Sequence, residues 1–410
     1  MKHFRVIGRK GVGAVKRKAA LLICVLLVFI AGCWSRRELN DLAIAVGFGI
    51  DRSGEQYEVS VQVVDPGEVA TKRPGSQRSP VTMYHAKGKT VFEAIRRMTT
   101  VTPRKVYFSQ LRMFIIGDEL AREGIREGLD FLSRDHELRT DFYIAVAKDL
   151  TAKEILSFYT PLEKIPASKM HNSLDVSDKS WGPTAAMKLD ELIKDLVSDG
   201  KEAVLTGITI LGDPEEGTKR KNVQMIDSPA FLKYSGIGVF QEDKLVGWLN
   251  ERESKGYSNI TDTLKSTIIN APCPEGGRVG IEVIHSKSKM KGKVRNGKPE
   301  AEVEIRTEAN IGEVECKLDL TKEKTINRLE QEFEKIIQQN AEQAIKKAKS
   351  LEADIFGFGE AIHRSNPRYW NTIKNDWRRQ FVDLPVHIKV DVKIRHMGTV
   401  SSPFFNQLKE

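Results

Sequence analysis

The sequence contains no apolar run long enough to span a bilayer as a helix. Its longest uncharged stretch of that kind, residues 19–32, has 14 residues, about 21 Å of helix against the roughly 30 Å of a bilayer core. Cysteine is scarce, with four in 410 residues, which excludes a disulfide-framed scaffold. The histidines beyond residue 32 (His85, His136, His171, His285, His363, His387 and His396) never fall four residues apart. No zinc-binding helix is therefore encoded, and His136-Glu137 lacks the second histidine that would complete one. A Gly-x-Ser-x-Gly nucleophile elbow is missing as well. Gly47-Phe48-Gly49 and Gly357-Phe358-Gly359 have neither a third glycine nor a phosphate-binding lysine, so they read as tight turns or close-packing positions. These absences argue against an enzyme and leave no catalytic residue, metal ligand or cofactor site to name.

Acidic residues are missing from the first 32 positions, which hold Lys2, Arg5, Arg9, Lys10, Lys16, Arg17 and Lys18. A basic segment, a short apolar one and the small pair Ala31-Gly32 describe an export signal over 1–32. Ile30-Ala31-Gly32-Cys33 resembles the bacterial lipobox, in which cysteine becomes the first residue of the mature chain and carries diacylglycerol. Two acyl chains suffice for stable anchoring where one is marginal. An uncleaved signal anchor fits less well, because the apolar run is short and charge resumes at Arg36. Removing the signal takes seven of the 65 basic residues and none of the 56 acids, so the net charge of +9 falls to +2. The case for a nucleic-acid partner goes with it. Cys24 leaves with the signal and Cys33 is lipidated. Cys273 and Cys316 remain, and the balance is against a bond between them.

The mature chain, 33–410, is too long for one ordinary core, so two or three domains are expected, divided here as 33–200 and 201–410. Residues 42–51 read as a buried strand in a hairpin with 57–64. A polar Pro/Gly/Ser/Lys loop follows over 65–80. The spacing predicts helices over 91–99, 119–133, 151–159 (capped by Thr151) and 185–197, with strands over 106–116 and 141–147. The prolines mark 160–184 as irregular. Beyond it come a strand over 203–211, a hairpin of 238–240 with 244–248 turning at Glu242-Asp243, and strands over 280–294 and 301–311. The last two flank Asn296-Gly297, a strong hairpin signal. Residues 321–355 carry an apolar stripe about 45 Å long, read as a helix laid across its own sheet, and 386–394 is a last strand. The order fits an α+β fold.

The tract "HSKSKMKGKVRNGK" reads as a solvated strand face whose lysines discourage edge pairing. "SRDHELR" offers paired carboxylates, but its interleaved arginines favour a structural ion network. In "NPRYWNTIKNDW", Trp370 and Trp377 fall on one side of a helix with Pro367 in its first turn and Asn366 as its cap. Core packing is the preferred role for the two rings, over an exposed anchor for a partner.

Three blocks, "CWSRRELNDLAIAVGFGID" (33–51), "YFSQLRMFIIGDELAREGIREGLDFLSRDHELR" (107–139) and "IFGFGEAIHRSNPRYWNTIKNDWRRQF" (355–381), together resemble the Ger(x)C family. These are the lipoprotein C subunits of spore germinant receptors. The resemblance implies a non-catalytic, elongated, multi-domain α+β lipoprotein with mixed or antiparallel sheets. It implies attachment through the diacylglyceryl Cys33 to the outer face of the spore inner membrane, and integral-membrane A and B subunits as partners. The alternative is a solute-binding lipoprotein that captures a small nutrient. That class should show two lobes of repeated βα units, which the hairpins and the long helix oppose.

Overall fold

The computed structural model describes residues 42–65, 79–134, 137–273 and 276–396. Cys33, the segment expected to be an export signal, most of the 65–80 loop and two members of the charged cluster, Asp135 and His136, lie outside them. Leu42–Ser53 (β1), Gln56–Val64 (β2), Val81–Gly88 (β3), Lys105–Tyr107 (β4), Met113–Gly117 (β5), Tyr143–Ala147 (β6), Val204–Gly212 (β7), Ala230–Gln241 (β8) and Lys244–Leu249 (β9) form one nine-stranded sheet. Its order is β3-β2-β1-β5-β6-β7-β8-β9, with β4 beside β1. The centre, β1-β5-β6-β7, is parallel, and both flanks are antiparallel. Helices cover both faces of the centre, which is why Met113, Phe114, Ile115 and Ile116 are buried in unbroken succession.

One face stacks Phe48 on Phe114 (ring centroids 5.4 Å) and sets Phe108 edge-on to Phe48 at 5.2 Å. The other face receives the helices Ala152–Leu156 and Pro166–Ser180, which bury Leu156, Met170 and Leu174 against Met113, Ile115 and Ala145. Gly49 permits this approach. A Cβ there would sit 2.7 Å from Leu156 Cδ1 and 2.9 Å from the Cβ of Ala152. The first Gly-x-Gly pair is thus a close-packing element.

Asp51, near the end of β1, accepts hydrogen bonds from the backbone N–H groups of Ala152 (2.6 Å) and Lys153 (3.0 Å). Burial nevertheless raises its pKa from 3.8 to about 6. The folded chain therefore holds this proton more tightly than the unfolded one. The resulting stabilisation is complete below pH 3.8 and is lost as pH rises through about 6. Asp51→Asn cannot titrate, so it should flatten the fall in stability between about pH 4 and 7 by about 3 kcal/mol. Melting curves of both proteins over that range check this, and parallel pH profiles would refute it.

Thr267–Pro272 (β10), Arg278–Arg295 (β11), Lys298–Val314 (β12) and Val386–His396 (β13) make a second sheet, antiparallel except for the β12–β13 pair. Asn296 (φ 49°) and Gly297 (φ 74°) both adopt the left-handed conformation that a tight primed turn requires. The helix Glu323–Ser350 packs between β13 and β10 of this sheet and the helix Glu251–Ile260, burying Leu329, Phe333, Ile337, Ala341, Ala344 and Ala348. Its Glu334 and Glu330 reach β13 and accept from the N–H groups of Val392 (3.1 Å) and Ile394 (3.0 Å). The lysines Lys287, Lys289 and Lys291 are exposed, in register with Arg306, Glu304 and Glu302 of β12. They line a solvated face as expected, and because β10 pairs with β11 only as far as Val283, this stretch of β11 has a strand neighbour on the β12 side alone among the described residues. From Ala43 on, the described residues form one compact unit. The expected division at residue 200 falls just before β7, inside the nine-stranded sheet.

Cys273 and Cys316 are disulfide-bonded, with Cα atoms 6.4 Å apart, contrary to the expectation from their number. The long β11–β12 hairpin goes out and returns, so the residues flanking it meet at one end of the sheet. The closed loop spans 43 residues, so Cys316→Ser should cost about 4 kcal/mol by releasing chain entropy in the unfolded state. Urea midpoints with and without the substitution test this. No change in midpoint would show that the bond contributes nothing.

Other differences have local causes. Gly124 (φ 140°) divides the helix expected over 119–133 into Asp118–Glu123 and Arg126–Arg134. The strand expected over 106–116 is interrupted between β4 and β5, where Leu111 N–H turns back to the Phe108 carbonyl. The stretch expected to be irregular over 160–184 holds a 15-residue helix, because Pro166 occupies its first turn instead of breaking it.

Candidate functional site

Two places concentrate polar and aromatic side chains around shared geometry. The first is built on the C-terminal block. Asp354 is buried and its Oδ1 accepts from the N–H groups of Phe356 (3.2 Å), Gly357 (3.0 Å) and Phe358 (3.2 Å). Its Oδ2 accepts from Gly359 N–H (2.8 Å) and Trp377 Nε1–H (3.1 Å). Burial still pushes this carboxyl up to about 6, against the pull of the donors. Gly357 takes the left-handed conformation (φ 82°) that starts the helix Phe358–Ser365. Gly359 lets the backbone of residue 200 approach, since a Cβ there would lie 2.7 Å from Gly200 Cα. The second Gly-x-Gly pair is therefore also a close-packing element, and it ties the chain leading into β7 to the C-terminal helices.

Trp370 and Trp377 are both buried, so the rings belong to the core as preferred. They do not share a helix. Trp370 lies in Pro367–Ile373 and Trp377 opens Trp377–Asp383, with a 3₁₀ turn between, yet the rings meet edge to face at 5.3 Å. Asn366 caps the first of these helices by accepting from Tyr369 N–H (3.1 Å). The sequence reading missed Asp354. Its signal was an aspartate three and five residues ahead of paired glycines.

The second place is a pocket of about 720 Å³ between the helices Val91–Arg97 and Arg126–Arg134. Tyr57, Phe92, Ile95, Val106, Phe108 and Phe131 supply its apolar wall. Phe92 is 57 % exposed and lies 6.0 Å from Phe131, with the Arg96 guanidinium 5.6 Å over its ring. Around the mouth, Arg134 pairs with Asp130 (2.8 Å) and Lys105 with Glu137 (2.9 Å). Burial raises the Tyr57 phenol above its usual range, which keeps the hydroxyl protonated. This arrangement can hold an apolar group capped by polar atoms, a size and lining in the range of small-ligand sites.

The described part of the charged cluster is an ion network, as read, with partners outside the cluster. Arg134 and Glu137 pair as above, and Arg139 pairs with Asp141 at 3.3 Å. The described histidines stay apart, with His171 stacked on Tyr143 and His363 on Trp370. Among the described residues no group of three or more His, Cys, Asp or Glu could hold a metal ion, and no helix is long and apolar enough to cross a membrane.

Residues 35–210 match the family model for a spore germination protein N-terminal domain, and residues 235–398 match the one described as spore germination B3/GerAC like, C-terminal. The chain is 32% identical over 407 residues to spore germination protein KC of Bacillus subtilis, covering 96% of this chain and 99% of that one. It is 25% identical to spore germination protein B3 of the same organism, over 92% of this chain and 96% of the other. The crystal structure of the GerBC protein superposes with a TM-score of 0.52 at 20% identity, covering 85% of this chain and 96% of that one. At that identity the likeness speaks for the fold, which is α+β as expected.

Proposed function

The chain belongs to the spore germination family of the GerAC type, and on that premise we propose that it is the lipid-anchored, non-catalytic C subunit of a nutrient germinant receptor. The observation that carries this reading is the end-to-end match to spore germination protein KC. Cys33 bears the diacylglyceryl group and holds the body on the outer face of the spore inner membrane. Tethering there raises its effective concentration beside other membrane proteins, and it acts by contact with the integral A and B subunits, keeping the receptor assembled.

Deleting the protein should abolish germination with the matching nutrient while germination through other receptors persists. Cys33→Ser should leave an uncleaved precursor or a soluble chain that takes up no labelled palmitate. Replacing the lipid with a transmembrane helix should restore at least part of the response. Continued acyl labelling of the variant, or a pull-down from spore membranes that recovers neither integral subunit, would overturn the proposal.

The aromatic pocket favours a second reading, in which the body itself captures a small nutrient. Calorimetry on the lipid-free body separates the two. Tight binding of the nutrient with the membrane subunits absent would favour capture over assembly.

A further inference from the structure

The second sheet is packed on one side and bare on the other. The helices Glu251–Ile260 and Phe358–Ser365 cover the first, so closely that a Cβ on Gly292 would run into the Ile362 backbone. On the bare side, strand alternation and register set Lys289, Glu304 and Lys389 in one row across β11, β12 and β13. Over residues 285–295, 298–308 and 387–395 that side carries ten Lys and Arg against five Asp and Glu. The central strand supplies four of the five acids, and its neighbours supply eight of the ten cations.

The pairing shows that the excess is real. Each of the five acids already pairs with a cation of the sheet, as Glu300 does with Arg295 at 3.0 Å and Asp391 with Lys393 at 3.8 Å. Lys289, Lys291, Lys298 and Lys389 are exposed and make no ion pair among the described residues. Asp262, Glu330 and Glu334 reach in from outside the sheet to Lys287, Lys393 and the Val392 N–H, and with them counted the excess stays positive. Over the same ranges this side presents no apolar side chain. Protein interfaces gather Trp, Tyr and Arg at their cores and are depleted in Lys and Glu, the opposite of this composition. Anionic headgroups need no pocket and no anchor, only point charges held near them, and salt weakens the attraction. We propose that the bare side of β11, β12 and β13 is a membrane-contact face, and that its occupant is an anionic bilayer surface.

The inference does not rest on the Cys33 anchor, so its test uses protein without lipid. The body from residue 34 on, whose described part forms a compact unit with its own core, is sedimented at low and physiological salt with vesicles of phosphatidylcholine alone or rich in phosphatidylglycerol. Binding is expected on the anionic vesicles alone, and it should weaken with salt. K289E/K291E/K389E should reduce it at least about tenfold, with the melting temperature unchanged. K244E/K324E/K346E changes the net charge equally but lies outside these strands, so it should cost less than about threefold. An equal loss in the two triple variants, no loss in the first, or equal binding to neutral vesicles would overturn the proposal. So would the absence of binding by the parent protein, which would leave the face to an acidic protein.

Discussion

Asp354→Ala should cost about 4–6 kcal/mol, a large part of the roughly 5–15 kcal/mol that holds an ordinary domain together. The carboxylate accepts five N–H donors, four from the backbone of residues 356–359 and one from Trp377. Alanine removes every acceptor and fills none of the space, leaving five donors in a site closed to water. Each stranded donor costs about 1–3 kcal/mol, and the sum is less than additive because the loop can relax. Asp354→Asn keeps one acceptor oxygen but turns an NH₂ toward donors, so about half that loss is expected. Urea titration of both variants measures the effect. A midpoint for Asp354→Ala within error of the parent would mean that water already serves these donors.

Trp377→Ala should cost about 3–5 kcal/mol. The indole is buried, meets Trp370 at 5.3 Å and Phe381 at 6.5 Å, and supplies one of the five donors to Asp354. Removing it opens a cavity where two C-terminal helices meet the chain leading into β7. The two sites share a hydrogen bond, so the double variant should lose less than the sum of the singles, by about 0.5–3 kcal/mol. A Trp377→Ala protein with an unchanged melting temperature but lost receptor assembly would show instead that this ring serves a partner.

What could be read in advance was what local chemistry decides. Asn296-Gly297 announces its hairpin because few other pairs accept two left-handed residues. Thr151 with Glu154 and Asn366 with Pro367 announce helix starts because the cap sits beside the groups it satisfies. What escaped was decided by distant partners. β3 and β10 lack a clean signal of their own and are strands because β2 and β11 hold them. The cradle of Asp354 needs Trp377, 23 residues on. The disulfide depends on the register of a hairpin lying between its cysteines. Pro166 was a matter of position, since the same residue that breaks a helix interior starts one at its first turn.

The parallel seat of β13 has a consequence for the order of assembly. β12 ends at Val314 and its neighbour begins at Val386, so this pairing closes late and over a long loop, the slow kind of contact. Until it closes, β12 offers an open edge from Ala301 to Asn310 to any strand nearby, including that of another copy of the chain. Once β13 is seated, Glu330 and Glu334 occupy the N–H groups of Ile394 and Val392. The long helix thus supplies an end-stop, and growth of the sheet terminates at its fourth strand.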